Sequence, residues 1–267
     1  MQDAEFQHRY GPWAIVTGAS EGIGEAMARD LAQRGLNLVL VARREDRMRA
    51  LASQLESAWG VQTRVVVSDL ATPQGNVPLV AATEDLDIGL LVAAAGFGGA
   101  GDFLRRPLAD EVDMLHLNCR SVLEQVWHVG QHLRGRGRGG VILFSSLLGF
   151  HGAPWSANYA ATKGYIQSLA EGLRVEWRAT GVDVLACAPG PVHTGFAQRA
   201  RMRMSQATTP ELVAQVTLQA LGRRAVVRPG WLSKLLAWSL ATAPRTWRVE
   251  IMGKVMQGML PEDRARR

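Results

Sequence analysis

Six short apolar runs, most of them followed by a longer stretch with helical periodicity, constrain this chain more than any other feature. The runs are Trp13–Thr17, Asn37–Val41, Arg64–Val67, Ile88–Ala94, Gly140–Phe144 and Val182–Ala186. They are nearly continuous in apolar residues, not alternating. The strands they predict are therefore covered on both faces, as in a parallel sheet. Between them, Ile23–Arg34, Arg44–Trp59, Pro107–Leu133 and Trp155–Thr180 carry helical patterns. In the first of these, Ile23, Met27 and Leu31 recur every fourth residue, and Gly35 stands where a helix exits. Repeated strand–helix–strand units predict an α/β fold: a doubly wound parallel sheet with helices on both faces. No linker, repeat or low-complexity block divides the chain, so residues 1–267 are read as one domain.

A chain of this length buries a large share of its surface without staples. Its two cysteines, Cys119 and Cys187, are read as buried thiols of a reducing compartment, and a cytoplasmic location is expected. The polar start, Met1 to Tyr10, does not resemble a secretory signal. No uncharged apolar run reaches the roughly 18 residues a membrane span needs.

Directly after the first predicted strand comes Thr17-Gly18-Ala19-Ser20-Glu21-Gly22-Ile23-Gly24, opening the first helix. Glycines at this spacing permit a tight turn and close backbone approach to a pyrophosphate, whose charge suits a helix N-terminus. In this strand–turn–helix context the motif predicts a dinucleotide site of the Rossmann type. The second strand ends in Val41-Ala42-Arg43-Arg44, where a binder of the non-phosphorylated nucleotide usually carries an acid on the ribose. Arg43 is expected to clamp a 2′-phosphate, with a hydroxyl contact from Ser20, so the reading is NADP(H).

Ser145-Ser146 follows the fifth strand, at the carboxyl edge where open α/β sheets bind ligands. Thirteen residues beyond Ser146 stands Tyr159, and Lys163 follows four later, on the same helix face. A tyrosine with an ordinary pKa near 10 is a poor proton exchanger at neutral pH. A neighbouring cation favours the phenolate, which is a chemical reason for Lys163 beside Tyr159.

Together Gly18, Gly22, Gly24, Asn118, Ser146, Tyr159, Lys163 and Pro189-Gly190 resemble the short-chain dehydrogenase/reductase family over roughly residues 10–200. The resemblance implies that Tyr159 exchanges a proton with the substrate oxygen and Ser146 hydrogen-bonds that oxygen. It implies that Lys163 binds the nicotinamide ribose and lowers the Tyr159 pKa, while Asn118 holds a water that links Lys163 to solvent. Asp69 and Leu70 would meet the adenine; Ile23, Ala95 and Gly96 would lie against the cofactor. Pro189 and Gly190 would seat the nicotinamide, with Val192 and Thr194 on its carboxamide. The chain departs from the family where Ala93-Ala94-Ala95-Gly96 replaces the usual Asn-Asn-Ala-Gly. Three flanking segments, Tyr10–Gly18, Arg34–Leu40 and Leu86–Val92, are similar to the branch of very-long-chain 3-oxoacyl-CoA reductases and 17β-hydroxysteroid dehydrogenases. That branch suggests a bulky apolar ketone or secondary alcohol, and this chain is read as a soluble bacterial relative. The family also pairs its Pro107–Leu133 and Trp155–Thr180 helices with a twin chain, so a homodimer or homotetramer is expected.

Charge is unevenly placed. The formal net charge is +6, yet residues 223–267 hold ten of the thirty basic residues and three of the twenty-four acids. That segment carries +7 and the remainder is nearly neutral. With Trp231, Trp238 and Trp247, the tail reads as a basic amphipathic helical extension, which either packs over the pocket or a partner or lies on an anionic membrane. Arg134 to Gly140 reads as a helix exit, not a nucleic-acid tract, because no aromatic residues interleave to stack bases. Residues 195–209, with Met202 and Met204, fall where the family places its substrate lid, and Arg199, Arg201 and Arg203 are either solvated or meet an anionic substrate. His128 and His132 have metal-compatible spacing but no third ligand, and His193 adjoins the nicotinamide loop. No metal is expected. The leading function is NADPH-dependent carbonyl reduction; the alternatives are a cofactor-sensing binding protein or a membrane-surface adaptor on the same fold.

Overall fold

The computed structural model describes residues 3–195, 207–230 and 243–260. Helix α1 (Asp3–Tyr10) leads into β1 (Trp13–Thr17), α2 (Gly22–Gln33), β2 (Asn37–Ala42), α3 (Glu45–Trp59) and β3 (Thr63–Val67). The short α4 (Val77–Ala81) and β4 (Ile88–Ala93) follow. Next come α5 (Leu108–Leu115), a π-helical turn (His116–Ser121), α6 (Val122–Arg136) and β5 (Gly139–Phe144). Then come α7 (Ala157–Glu176), β6 (Val182–Cys187), α8 (Pro210–Ala220), β7 (Val226–Val227) and α9 (Arg245–Met259).

The seven strands form one parallel sheet in the order β3-β2-β1-β4-β5-β6-β7. The order reverses between β1 and β4, and a crevice opens there beyond the carboxyl ends of the strands. Thr17 pairs in register with both Val41 and Ala93, so three strand ends finish level around that crevice.

Pleating sends alternate residues to two apolar layers. Ala14, Val16, Leu38 and Leu40 meet Met27 and Leu31 of α2 and Met48 and Leu55 of α3 on one face. Ile15, Val39, Leu91 and Val141 meet Val126 and Leu133 of α6 and Ile166 of α7 on the other. Burying a large aliphatic side chain is worth about 1.5–3 kcal/mol, so covering both faces stabilises a sheet that neither face alone would hold.

Several expectations are sharpened or corrected. The polar opening segment is a helix. Its Phe6 and Tyr10 lie one turn apart and are fully buried, and the Tyr10 hydroxyl donates to Asp183 at 2.7 Å. The long Pro107–Leu133 pattern is helical but broken in register by the π turn. The Trp155–Thr180 pattern starts two residues late. Trp155 itself has φ +66°, a left-handed conformation rare for a bulky side chain, and the α-helix begins at Ala157. The seventh strand is two residues long, too short to leave a periodic signal. Cys187 is buried as read, but Cys119 is only partly so; both are free thiols.

Arg136 ends α6, Gly137 leaves it in the left-handed conformation, and the arginine's buried side chain pairs with Asp87 at 2.7 Å. This arginine serves the fold. His128 and His132 are exposed, and His132 lies 3.3 Å from Asp87. Among the described residues no cluster of three potential metal ligands occurs, and no helix is long and apolar enough to cross a membrane.

Candidate active site

One cavity of about 830 Å³ occupies the crevice at the carboxyl edge of the sheet. It joins the glycine turn after β1, the ends of β2, β3 and β4, the serine pair after β5, the first turns of α7, and α9.

At the β1 end the chain is folded so tightly that side chains are excluded. A Cβ on Gly24 would sit 2.2 Å from the Gly18 carbonyl oxygen, and Gly18 has φ +69°. The turn therefore exposes backbone N–H groups at the start of α2, a donor set suited to a pyrophosphate. The Ala95 amide donates to the buried Thr17 hydroxyl at 3.2 Å, tying β4 to β1 where the family's first asparagine is missing. Gly18, Ser20, Gly22, Ile23, Gly24, Asp69, Leu70, Ala95, Gly96, Pro189, Gly190, Val192 and Thr194 all line the cavity.

The arginine pair is arranged differently from the simplest reading. Both arginines line the cavity, but it is Arg44 that donates to Ser20 Oγ, from Nη2 at 2.9 Å and from Nε at 3.2 Å. Arg44 also pairs with Glu21 at 2.9 Å, while Arg43 reaches Asp69 at 3.7 Å. Arg43 is the more exposed of the two, 67% against 39% for the side chain. Arg44 and Glu21 are thus cavity residues missed by a reading centred on the strand end. The adjacency of the two arginines was the available signal.

On the other side, Ser146 ends its strand extension buried, and its Oγ accepts from the Leu148 amide at 3.2 Å. A hydrogen bond also links it to Tyr159. Lys163 is buried, donates to the Phe144 carbonyl at 2.8 Å, and places Nζ 5.7 Å from the centre of the Tyr159 ring. Burial pushes the Tyr159 phenol up to about 12, opposed by the bond from Ser146, and pushes the Lys163 ammonium down to about 8. In this arrangement burial outweighs the lowering that the Tyr–Lys spacing suggests, and Tyr159 holds its proton at neutral pH.

Asn118 is buried on the π turn. Its amide donates to Phe97 O at 2.8 Å and Thr162 Oγ1 at 3.1 Å, and its carbonyl accepts from the Phe97 amide at 3.1 Å. A Cβ on Gly96 would lie 3.0 Å from Asn118 Oδ1 and 3.4 Å from Lys163 Nζ, so these polar groups converge on the Gly96 backbone. Thr194 also reaches the glycine turn: its Cγ2 would be 2.9 Å from a Cβ on Gly22.

The wall of the cavity away from the glycine turn is apolar. Phe97, Leu148, Met252, Met256 and Met259 line it. The three methionines come from α9, within the basic tail, and were not singled out as site residues; their spacing, 252, 256 and 259, is the helical signal that marks one face. Trp247 of the tail is exposed, whereas Trp231 and Trp238 lie outside the described residues. Most of the expected lid, residues 196–206, also lies outside them. His193 is exposed and does not line the cavity.

Comparison with known proteins agrees with this geometry. The short chain dehydrogenase family model matches residues 12–205, and the chain belongs to that family. It is 31% identical to a 7β-hydroxysteroid dehydrogenase of Collinsella aerofaciens over 85% of this chain and 89% of that one. It is 26% identical to a very-long-chain 3-oxoacyl-CoA reductase of Anas platyrhynchos, covering 91% and 80%. A short-chain dehydrogenase from Sphingobium yanoikuyae, solved in complex with NADPH, superposes with a TM-score of 0.78 at 27% identity, covering 88% and 97%. The chain is an oxidoreductase acting between CH–OH and C=O groups, and the branch resemblance read from its flanks holds.

Proposed function

We propose that this chain is an NADPH-dependent reductase of bulky apolar ketones, running in reverse as a secondary-alcohol dehydrogenase. The observation that carries the reading is the meeting of Ser146, Tyr159 and Lys163 with the glycine turn in one cavity whose far wall is apolar. The turn fits a dinucleotide because its exposed amides and the two arginines offer donors where pyrophosphate and 2′-phosphate would lie. When bound, the cofactor supplies the hydride. The protein's part is to hold the carbonyl and deliver a proton. Ser146 donates a hydrogen bond to the substrate oxygen, and Tyr159, protonated at neutral pH, gives that oxygen its proton. Lys163 holds the ribose and restores the phenol's charge balance, and Asn118 holds a water between Lys163 and solvent. Asp69 and Leu70 face the adenine, and Val192 and Thr194 the carboxamide.

NADPH is favoured over NADH by Arg43, Arg44 and Ser20 together, and the Sphingobium neighbour binds NADPH. The apolar wall and the steroid- and acyl-directed names of the two relatives support a bulky ketone. We read the whole chain as one domain, with the tail helix closing the substrate end. Leu108, Val112, Leu115, Leu123 and Trp127 are exposed on α5 and α6, an apolar face suited to a second copy of the chain. The test is NADPH oxidation with a panel of steroid, acyl-CoA and aryl ketones, in wild type and Tyr159→Phe. Turnover with at least one bulky ketone, reduced about 100-fold or more in the variant, is expected. Undiminished turnover by Tyr159→Phe would overturn the mechanism.

A further inference from the structure

Beside the main cavity, a carboxylate is buried where nothing in the hydride-transfer chemistry calls for one. Glu111 of α5 is only 6% exposed. Isolated, such a charge would be very costly to bury, so its partners matter. They come from two other elements. The Arg106 guanidinium donates to Glu111 Oε1 from the loop after β4. The Asn158 amide, on the first turn of α7, donates to Oε2 at 2.7 Å and to the Glu111 backbone carbonyl at 3.0 Å. One carboxylate thus joins the loop, α5 and α7.

Asn158 immediately precedes Tyr159. The same turn is tied to the same loop twice more: Ser156 Oγ donates to Gly99 O at 2.9 Å, and the Gly101 amide donates to Trp155 O at 2.7 Å. The second bond anchors Trp155, whose φ of +66° is a strained backbone conformation for a bulky side chain. A void of about 170 Å³ lies against this junction, lined by Arg106, Glu111, Asn158 and Tyr159 among others. The turn that begins the tyrosine helix is therefore strained and adjoins open space. Without a tether it has both reason and room to move.

We propose that Arg106, Glu111 and Asn158 form a clamp that positions Tyr159, fixing the first turn of α7 against the loop that carries Phe97 and Gly99 into the main cavity. The inference rests on the reading of Tyr159 as the proton-exchanging group. The three residues touch neither substrate nor cofactor in this scheme; they are positioning residues acting through Tyr159. Their loss moves the phenol relative to Ser146 and Lys163, while the glycine turn and its arginines, on the far side of the sheet's switch point, keep their geometry.

The test uses the full chain and three clamp variants, Asn158→Ala, Glu111→Ala and the conservative Glu111→Gln, beside Tyr159→Phe. The readouts are kcat, the NADPH dissociation constant, the pH profile of kcat and the melting temperature. The clamp predicts that Asn158→Ala and Glu111→Ala lower kcat about tenfold to 100-fold, as small misplacements of reacting groups do. It predicts a displaced pH profile and an NADPH dissociation constant within about twofold of wild type, with Glu111→Gln, which keeps one of the two acceptor oxygens, recovering part of the loss. A lowered melting temperature with unchanged kcat and pH profile in Asn158→Ala and Glu111→Ala would overturn the clamp and leave the Tyr159 mechanism standing. Retained turnover by Tyr159→Phe would overturn the mechanism and the clamp with it. Should Glu111→Ala not fold, Asn158→Ala carries the same comparison, because it leaves the Arg106–Glu111 ion pair intact.

Discussion

The two ends of the main cavity are built on opposite principles. The glycine-turn end is made of backbone and short motifs, each attached to the strand it follows: Gly18–Gly24 after β1, Arg43 and Arg44 after β2, Asp69 and Leu70 after β3, Ala95 and Gly96 after β4. The far end is made of side chains gathered from distant places: Phe97, Leu148 and, from the tail, Met252, Met256 and Met259. Recognition by backbone demands particular residue types, because only glycine permits the close approach. An apolar wall demands only volume and shape, which many residues supply. The first end should therefore be brittle to substitution and the second tunable.

The largest expected effect is at the brittle end. Gly24→Ala forces the turn open against the Gly18 carbonyl oxygen, and NADPH affinity should fall about 100-fold, or roughly 2.8 kcal/mol, in a fluorescence titration. Unchanged affinity would mean that this turn is not the cofactor's seat. Next come the arginines. Arg44→Ala and Arg43→Asp should each raise the KM for NADPH about tenfold while leaving that for NADH unmoved. Equal use of both cofactors by the wild type would remove the assigned preference. At the tunable end, Met252→Ala should change kcat/KM for bulky ketones about tenfold, with small ketones spared. An equal effect on all substrates would show that the methionine wall does not select.

The smallest effect is a pH dependence shared by both ends. Burial lowers the Lys163 pKa from 10.5 to about 8, so its proton is lost as pH rises through that value. Below it, the protonated ammonium supports cofactor and phenol, and kcat/KM should be constant. Above it, kcat/KM should decline several-fold between about pH 8 and about pH 10. Tyr159, raised to about 12, stays protonated across this window and contributes no limb of its own. Lys163→Arg should move the limb out of the accessible range. A flat wild-type profile would contradict the assignment of Lys163 as the titrating group.

The same contrast explains what could be read from the chain alone. All six predicted strands appear within a residue or so of their expected ends, because parallel strands covered on both faces need continuous apolar runs. That Gly18, Ser146, Tyr159 and Lys163 meet in one cavity was legible, because a tight glycine turn and a Tyr–Lys pair on one helix face tolerate few residue types. Met252 and Met256 were not, since nothing in an apolar helix face says what it will cover. Helix α1 escaped notice because two buried aromatics, Phe6 and Tyr10, are too few to show a period. The choice between Arg43 and Arg44 depended on which guanidinium turns toward Ser20, a matter of rotamer and neighbour that spacing does not encode. The Glu111 clamp joins residues about 50 positions apart that carry no shared motif, and only the folded chain brings them together.

The π turn at His116–Ser121 has a further consequence. Relative to a regular helix, such a turn is a one-residue insertion. Removing a single residue from it should restore an uninterrupted α-helix from Leu108 to the end of α6, with better local hydrogen bonding. The wider π turn absorbs the rotation of about one extra residue, so the shortened helix would keep both α5 and α6 close to their present phase, and the change would fall on the residues of the turn itself. Asn118 would then face away from Phe97 and Gly96, and the chain would exchange a regular helix for the loss of its inward asparagine.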